Sequence, residues 1–414
     1  MRPQTRADPD TKCVGRYFFH APKGPHSAAP SGYHPCMARS SRRENPKVTR
    51  LREPGFMRSV PGTRYTDPAF LERENQQVFR RAWVVACPEL RVAQPGDFFC
   101  FEQFGASVIV ARDAAGTLRA FQNTCLHRGS RLLEGSGNAS EIRCRYHGWR
   151  YRMDGALAQV PRPEGFADSC EGRHLHPVRL ETLAGFVWIN LDDAAPPLTE
   201  TLGGIAEELA PYALEEMRPI QEKVFRLPTN WKAVLENATD FYHVPFVHSA
   251  TVTPHVPEGP DLRSYGDHTR QTLHIAPYSW RAKLDDRCSR GGPYTRKQKS
   301  SLHKYLIFPN FLINVLPYHL TVMQVWPVDA SHCELHYAFL RRKGARGIEL
   351  ARAYATWAAS RYILREDLHI LKWFQEGVAT DAVRMQPLHD EEEAAAHFHA
   401  TLSRWLDEAD LPSP

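Results

Sequence analysis

Two short stretches of the chain each pair a cysteine with a histidine. Cys125 precedes His127 by two positions, and Cys144 precedes His147 by three, with sixteen residues separating the two pairs. A structural zinc site is the alternative, but zinc pairs usually leave roughly two to four residues between their first two ligands. Two thiolates and two imidazoles instead match a [2Fe–2S] cluster in which two histidines replace two cysteines on one iron. The spacing therefore predicts such a cluster, held by these four side chains.

A second group of candidate ligands follows further along the chain. His243 and His248 are five residues apart, with Pro245 between them. On an unbroken helix their side chains would point about 140° apart and could not share a metal ion. Because proline disfavours helical geometry at the residue before it, we expect a helix from Asn230 to end after His243 and the chain to turn His248 back. Asp240 should then lie on the same helical face as His243.

Two histidines and one carboxylate form the facial triad of non-heme Fe(II) oxygenases, which leaves coordination positions open for O₂ and substrate. The histidine pair therefore predicts a mononuclear iron site. Its third ligand must come from later in the chain.

Four segments around these residues carry a resemblance to a known family. They are Cys125-Leu-His-Arg-Gly129, Cys144-Arg-Tyr-His-Gly-Trp-Arg-Tyr-Arg-Met-Asp-Gly-Ala-Leu157, Gly185-Phe-Val-Trp-Ile-Asn-Leu191 and Glu236-Asn-Ala-Thr-Asp-Phe-Tyr-His-Val-Pro-Phe-Val-His248. Together they resemble the α-subunits of the Rieske non-heme iron oxygenases. The resemblance extends from about residue 60 to about residue 410.

The resemblance implies a third iron ligand and a set of cofactors. The family places an aspartate within E-D…Q-x-G in a downstream helix, and here Glu366-Asp367 is followed by Gln375-Glu-Gly377. This implies Asp367 as the iron ligand, with Glu366 and Asp381 as alternatives. It also implies a [2Fe–2S] cluster and a mononuclear Fe²⁺. No nicotinamide or flavin fingerprint is visible in the sequence, so NAD(P)H-derived electrons should come through a partner ferredoxin or flavin reductase.

The resemblance also implies a role for Asp240. Members assemble as rings of three subunits, which predicts a homotrimer or an α3β3 complex in which one subunit's cluster lies beside the next subunit's iron. A carboxylate then links a cluster histidine to an iron-ligand histidine; by position these groups are His147, Asp240 and His243. A carboxylate suits this position because it accepts the outer N–H of both rings. The alternative is that Asp240 only caps or salt-bridges its own helix.

The patterns around these residues predict an α+β fold. Short β-rich runs separated by turn residues fill 82–191, which indicates an all-β domain. Further along, helical and strand patterns mix; the predicted helices cover 67–79, 230–243, 348–376 and 391–406, and the predicted strands 301–316 and 320–326. The catalytic domain should therefore be an antiparallel sheet covered by helices.

Three segments are expected. Residues 1–58 hold eight prolines and four glycines without periodicity, so we predict a disordered extension; a targeting peptide, or a true start at Met57, are the alternatives. Residues 59–195 should form a Rieske [2Fe–2S] domain with an N-terminal helix. Residues 196–414 should form the catalytic mononuclear iron domain.

Charge and composition exclude several classes of protein. Residues 1–58 hold 12 Lys and Arg against 4 Asp and Glu, so the net charge of +5 leaves −3 for the remainder. That argues against a nucleic-acid-binding body. No apolar run is long enough to cross a membrane. Nine scattered cysteines favour a reducing compartment, so we expect a cytoplasmic protein.

The substrate is predicted less sharply than the reaction. Six aromatic residues could stack on an arene or surround a trimethylammonium group, or could simply be core: Tyr278, Trp280, Phe308, Phe311, Tyr318 and Trp326. Carnitine and betaine relatives often carry Glu where this chain has Asp240, which favours mono- or dihydroxylation of a small aromatic compound. The alternatives are an oxidative demethylase, a quaternary-ammonium monooxygenase, or an electron-transfer protein without oxygenase activity.

Overall fold

The structure is a computed structural model. It describes residues 57–168, 170–276, 283, 287, 296–316, 319–380 and 382–407. Several sequence-based expectations lie outside these described residues: the disorder of residues 1–56, Asp381 as an alternative ligand, and the candidate aromatic residues Tyr278, Trp280 and Tyr318.

The described residues form the following strands and helices. The strands are β1 (Ser59–Pro61), β2 (Val84–Pro88), β3 (Asp97–Gln103), β4 (Ala106–Arg112), β5 (Leu118–Gln122), β6 (Ser136–Asn138), β7 (Glu141–Arg143), β8 (Arg150–Arg152), β9 (Leu157–Gln159), β10 (Arg179–Leu183), β11 (Phe186–Asn190), β12 (Met217–Leu227), β13 (Asp261–Tyr265), β14 (His268–His274), β15 (Ser301–Ile307), β16 (Phe311–Leu316), β17 (His319–Pro327), β18 (Cys333–Arg342) and β19 (Met385–Pro387). The α-helices are α1 (Pro68–Glu74), α2 (Leu198–Leu202), α3 (Ile205–Leu209), α4 (Trp231–Thr239), α5 (Val244–Val247), α6 (Arg296–Lys299), α7 (Gly347–Val378) and α8 (Glu393–Trp405).

From β2 to β11 the described chain is built on β-strands, as predicted. Its strands form three antiparallel sheets in the orders β10-β11-β2, β5-β4-β3-β6 and β7-β8-β9. Between the last two sheets lies a small core that includes Phe98, Ile109 and Tyr151. The loops β5–β6 and β7–β8 leave this core side by side and carry the two Cys/His pairs.

The second half is built on one seven-stranded antiparallel sheet with the order β12-β18-β17-β16-β15-β14-β13. Helices α4, α7 and α8 cover one face of this sheet, and their apolar residues join its core. The predicted antiparallel sheet covered by helices is therefore confirmed. None of the helices in the described part of the chain combines the length and apolar character that a bilayer-spanning segment needs.

The all-β half packs on the other face of the large sheet. Trp188 on β11 meets Phe311 on β16 edge to face, with ring centroids 5.4 Å apart. Gln324 on β17 donates through Nε2 to the carbonyl of Val85 on β2 at 2.8 Å. Short helices α2 and α3 contribute Leu202 and the residues around it to the same apolar layer.

The segment before β2 packs against the second half of the chain. Strand β1 pairs with β19 in antiparallel register. Asp67 caps α1 by accepting the N–H of Ala69 at 2.8 Å. Glu74 at the end of α1 forms a buried ion pair with Lys232 of α4, with Nζ 2.8 Å from Oε1. These contacts fix the position of α4, the helix that leads into the histidine pair.

The sequence predicted one site element wrongly. The helix expected over 230–243 ends at Thr239, and Asp240 is extended, with φ −70° and ψ 138°. The helix stops because side chains from the sheet bind its last carbonyls: Gln271 donates to the carbonyl of Thr239 at 2.6 Å, and Lys304 donates to that of Ala238. Such long-range caps leave no local pattern in the sequence.

The strand expected over 301–316 is two strands, β15 and β16, separated by a turn. Strands β12, β13, β14 and β18 were not predicted, although together they make up four of the seven strands of the large sheet. The long helix α7 and the closing helix α8 match their predicted positions closely.

Candidate metal sites and active-site cavity

The two Cys/His loops share one backbone conformation. In the first, the N–H of Cys125 donates to the carbonyl of Ser130 at 2.8 Å, and the N–H of Gly129 donates back to that of Cys125 at 2.9 Å. In the second, Cys144 pairs in the same way with the carbonyl of Trp149 at 2.8 Å and with Gly148 at 3.0 Å. Each glycine stands four residues after its cysteine with a positive φ, 71° and 75°, where a side chain would be strained.

This shared conformation brings all four predicted cluster ligands together. Cys125 and Cys144 are buried at the base of the loops, whereas His147 is exposed at the tip. The rings of His127 and His147 meet edge to face with centroids 4.5 Å apart. His127 Nδ1 is buried and has no hydrogen-bond partner. Two thiols, two close imidazoles and an unpartnered ring nitrogen fit a [2Fe–2S] cluster with mixed ligands.

Two aromatic residues next to these ligands were not singled out from the sequence. The indole of Trp149 stacks on His127, with centroids 5.2 Å apart and planes 6° from parallel. The hydroxyl of Tyr151 lies 3.3 Å from Cys125 Sγ and accepts the N–H of Leu126 at 3.0 Å. Burial and the neighbouring thiol raise the pKa of Tyr151, so it stays neutral. The only signal for either residue is its position shortly after His147.

The second site begins where α4 ends. Asp240 accepts the N–H of Tyr242 at 2.5 Å, and this turn leads into the short helix α5. Pro245 stands in the first turn of α5, where its missing N–H costs nothing, so it starts a new helix rather than ending the old one. His243 and His248 therefore flank α5, which points both rings inward. The chain turns His248 back toward His243, as predicted. The turn is made by the new helix α5, and not by the end of α4 at Pro245.

The two histidines meet Asp367 of α7. One ligand atom from each of the three residues lies within 4.8 Å of the others. Asp367 Oδ1 is 2.9 Å from His248 Nε2 and 3.6 Å from His243 Nε2. Asn237 donates to the same oxygen at 2.9 Å. Two ring nitrogens and a carboxylate converging on one point fit a divalent metal ion of the facial-triad type.

A carboxylate supports each ring from behind. Asp240 Oδ2 is 2.9 Å from His243 Nδ1, and Glu366 Oε2 is 2.8 Å from His248 Nδ1. Glu366, an alternative ligand in the sequence analysis, therefore lies on the outer side of His248, away from the convergence point. Burial disfavours the charged form of His248, but hydrogen bonds and charge from Asp367 and Glu366 outweigh this and raise its pKa. These outer contacts orient ligand histidines in metal sites.

The three converging residues open onto a cavity of about 260 Å³ between the helices and the large sheet. Its walls are mainly aliphatic, with Leu273, Leu316 and Leu371 among them, and Phe241 and Tyr337 supply aromatic rings. The candidate aromatic residues Phe308, Phe311 and Trp326 lie in the core instead and do not line it. Lys304 does line the cavity and was not identified from the sequence.

Comparisons with known proteins agree with this two-part architecture. A model of the Rieske [2Fe–2S] domain matches residues 82–176, and a model of the ring-hydroxylating alpha subunit catalytic domain matches residues 214–408. The carnitine monooxygenase oxygenase subunit of Escherichia coli (strain K12) is 28% identical over 84% of this chain and 93% of its own length. The chloroplastic choline monooxygenase of Spinacia oleracea is 28% identical over 84% of this chain and 78% of its own length.

A solved structure shows the same fold. The quaternary ammonium Rieske monooxygenase crystallised with L-carnitine superposes with a TM-score of 0.70, covering 87% of this chain and 99% of that one at 24% identity. The match includes both halves of the described chain.

Proposed function

This chain belongs to the Rieske non-heme iron oxygenases, and we propose that within this family it is the oxygenase component of a monooxygenase for a small quaternary ammonium compound. The chain combines a Rieske [2Fe–2S] domain with a mononuclear iron catalytic domain, so it needs substrate, O₂ and an electron-transfer partner. In this proposal the electrons come from NAD(P)H through a ferredoxin or a flavin reductase. A homotrimer or an α3β3 complex remains the expected assembly.

The proposed substrate class is supported mainly by the similar proteins. Carnitine and choline monooxygenases match across more than four fifths of this chain. The cavity supports a small substrate, because about 260 Å³ is below the roughly 300 Å³ at which sites for drug-sized ligands begin. Its two aromatic rings, Phe241 and Tyr337, offer faces for a cationic group. The aromatic substrate first predicted from Asp240 stays an alternative prediction.

The proposal assigns the ligands residue by residue. Cys125, His127, Cys144 and His147 would hold the [2Fe–2S] cluster. His243, His248 and Asp367 would hold the mononuclear iron, with their open side toward the cavity. When bound, the iron supplies dioxygen activation and the cluster supplies single electrons.

The chain's own side chains hold this chemistry in place. Asp240 and Glu366 accept the outer N–H groups of His243 and His248, which keeps each Nε2 unprotonated and free to bind metal. Asn237 holds Asp367 in its orientation. The aliphatic part of the wall would shield a substrate carbon bound against it from water.

Turnover with a matched substrate panel tests the proposal. The iron-loaded enzyme, given NADH and a ferredoxin–reductase pair, is incubated with L-carnitine, glycine betaine, choline, benzoate and naphthalene. We expect O₂ uptake coupled to product with at least one trimethylammonium compound and with neither aromatic compound. Coupled oxidation of an aromatic compound alone would overturn the substrate class. Cluster reduction without coupled O₂ uptake for any compound would favour the electron-transfer alternative.

A further inference from the structure

A row of polar side chains crosses the large sheet on the face that forms the cavity floor. Gln271, Lys304, Asn314 and Thr321 stand on four consecutive strands, β14 to β17, and each is the register partner of the next. Register partners point to the same face of a sheet, and all four line the cavity. The metal ligands come from the helices opposite. A substrate in the cavity therefore lies between the iron and this row.

Lys304 is the cation of the row. One of its three N–H groups donates to the carbonyl of Ala238 at the end of α4. Within the part of the chain that the structure describes, no carboxylate forms an ion pair with its Nζ, and the carbonyl of Ala238 is its one hydrogen-bond partner, although the side chain lines the cavity. An ammonium group removed from water costs free energy unless it is paired. The site therefore lacks one anionic partner.

The neighbours of Lys304 do not supply that partner. Asn314 donates through Nδ2 to Thr321 Oγ1 at 2.9 Å, and Gln271 is engaged with the carbonyl of Thr239. Asp240 and Asp367 act on Lys304 only from beyond ion-pair distance. Burial lowers the pKa of Lys304 to about 8, opposed by those two charges, so the ammonium form prevails at neutral pH.

We infer that Lys304 determines specificity by binding a carboxylate on the substrate. The inference deepens the proposed function: the preferred compound carries a carboxylate as well as its quaternary ammonium group, because Lys304 repels a simple cation and attracts the anionic end of a zwitterion. A charge-assisted hydrogen bond of this kind is short and roughly twice as strong as a neutral one. Lys304 orients substrate and takes no part in bond breaking.

Equilibrium binding to the anaerobic holoenzyme tests the inference without turnover. Isothermal titration calorimetry compares three pairs of probes that differ in having a carboxylate or an alcohol: glycine betaine with choline, γ-butyrobetaine with 4-trimethylammonio-1-butanol, and benzoate with benzyl alcohol. We expect the wild-type chain to bind the carboxylate of at least one trimethylammonium pair roughly tenfold more tightly.

Two variants separate recognition from helix capping. Lys304→Met should reduce the preference for the carboxylate to within about threefold, while alcohol binding is unchanged or improved. Asn314→Asp places a competing carboxylate opposite Lys304 and keeps the lysine, so it should weaken carboxylate binding in the same way. Lys223→Met, at an exposed position on β12 of the same sheet, is the matched control and should bind like wild type. Cluster absorbance and melting temperature check that each variant is folded.

The outcomes separate the inference from the proposed function. A carboxylate preference confined to the aromatic pair and lost in Lys304→Met would support the inference and overturn the quaternary ammonium substrate. Equal affinity for the carboxylate and the alcohol of a trimethylammonium pair would support the substrate class and overturn the inference. Equal weakening of carboxylate and alcohol in both variants, or no carboxylate preference in any pair, would also overturn the role of Lys304.

Discussion

Asp240 Oδ2 lies 2.9 Å from His243 Nδ1, on the side of the ring that faces away from Asp367. The other carboxylate oxygen is fixed by the N–H of Tyr242. Asp240 therefore connects the outer ring nitrogen of His243 to the surface turn that contains Tyr242, which is exposed. Within the described residues no hydrogen bond or ion pair joins Asp240 to His147, so the predicted link between cluster and iron requires a second subunit.

Replacing Asp240 tests that link. Asp240→Asn keeps the shape of the side chain but removes the charge that holds an imidazole N–H on each side. We expect product formation to fall by at least about tenfold, the low end for changes to groups behind a metal ligand, with unchanged reduction of the cluster by its partner. The measurement is single-turnover reoxidation of the reduced cluster in the presence of substrate and O₂, with the contents of both metals confirmed.

Mixed oligomers test whether electrons cross between subunits. Chains with His147→Ala and chains with His243→Ala should each be inactive, because each is expected to lose one of the two metal sites. After subunit exchange, some interfaces would pair an intact cluster with an intact iron, and we expect partial activity. Full activity in Asp240→Asn, or no rescue in oligomers shown to have exchanged, would contradict the intersubunit route.

The ligand assignments predict separable losses of metal. His127→Ala or Cys144→Ala should abolish the absorption and EPR signals of the cluster, because each removes one of its four ligands. His243→Ala should leave those signals intact while removing the mononuclear iron and all turnover. Iron counting together with EPR reads both sites in one sample. A wild-type cluster spectrum in either of the first two variants would show that the ligand set is wrong.

Glu366 should matter for iron affinity rather than for the cluster. Glu366→Gln keeps an oxygen near His248 Nδ1 but loses the charge that favours the metal-binding tautomer. Affinity for Fe²⁺ at the mononuclear site should drop about 10- to 100-fold. Competition with a chelator measures the change, and Glu376→Gln, at an exposed position on the same helix, is the control. Unchanged affinity would show that Glu366 does not set the tautomer of His248.

Local patterns sufficed to group the two Cys/His pairs and the two histidines of the second site, but not to find Asp367 or the residues around the sites. The spacing of Cys125, His127, Cys144 and His147 is contained in two short loops, so the sequence predicts their grouping directly. Asp367 stands more than a hundred residues from His248 and was placed only through the family resemblance. Lys304 and Gln271 end α4 from distant strands, which is why the helix boundary was predicted wrongly. Contacts formed by the sheet register have no signature along the chain.

The N-terminal boundary gives a further prediction. A chain that begins at Met57 retains β1 and the contacts of Arg64 with the ring and carbonyl of His399. We expect it to fold, bind both metals and turn over like the full chain. A chain that begins at Pro68 loses those contacts and should melt at a lower temperature. Calorimetry with metal analysis compares the two; loss of the cluster from the longer of them would contradict the prediction.

The buried pair between Glu74 and Lys232 should be essential as a pair. Both side chains are fully buried, and Trp231 also donates to the carboxylate through Nε1 at 3.0 Å. Burial raises the pKa of Glu74 and lowers the pKa of Lys232, and in each case the partner's charge opposes the shift. Lys232→Met leaves a buried carboxylate without its cation and should reduce the free energy of unfolding by about 3–5 kcal/mol.

The double variant Lys232→Met/Glu74→Gln should recover most of that loss, because the amide is neutral and still accepts from Trp231. Lys372→Met, which breaks an exposed pair with Glu376 on α7, is the control and should change stability by less than about 1 kcal/mol. Urea denaturation followed by tryptophan fluorescence measures all three. If Lys232→Met had the same free energy of unfolding as the control, the Glu74–Lys232 ion pair would not be the contact that holds α1 against α4. The position of the histidine pair would then depend on the contacts of Asn230 with Gln375 and Ala330 instead.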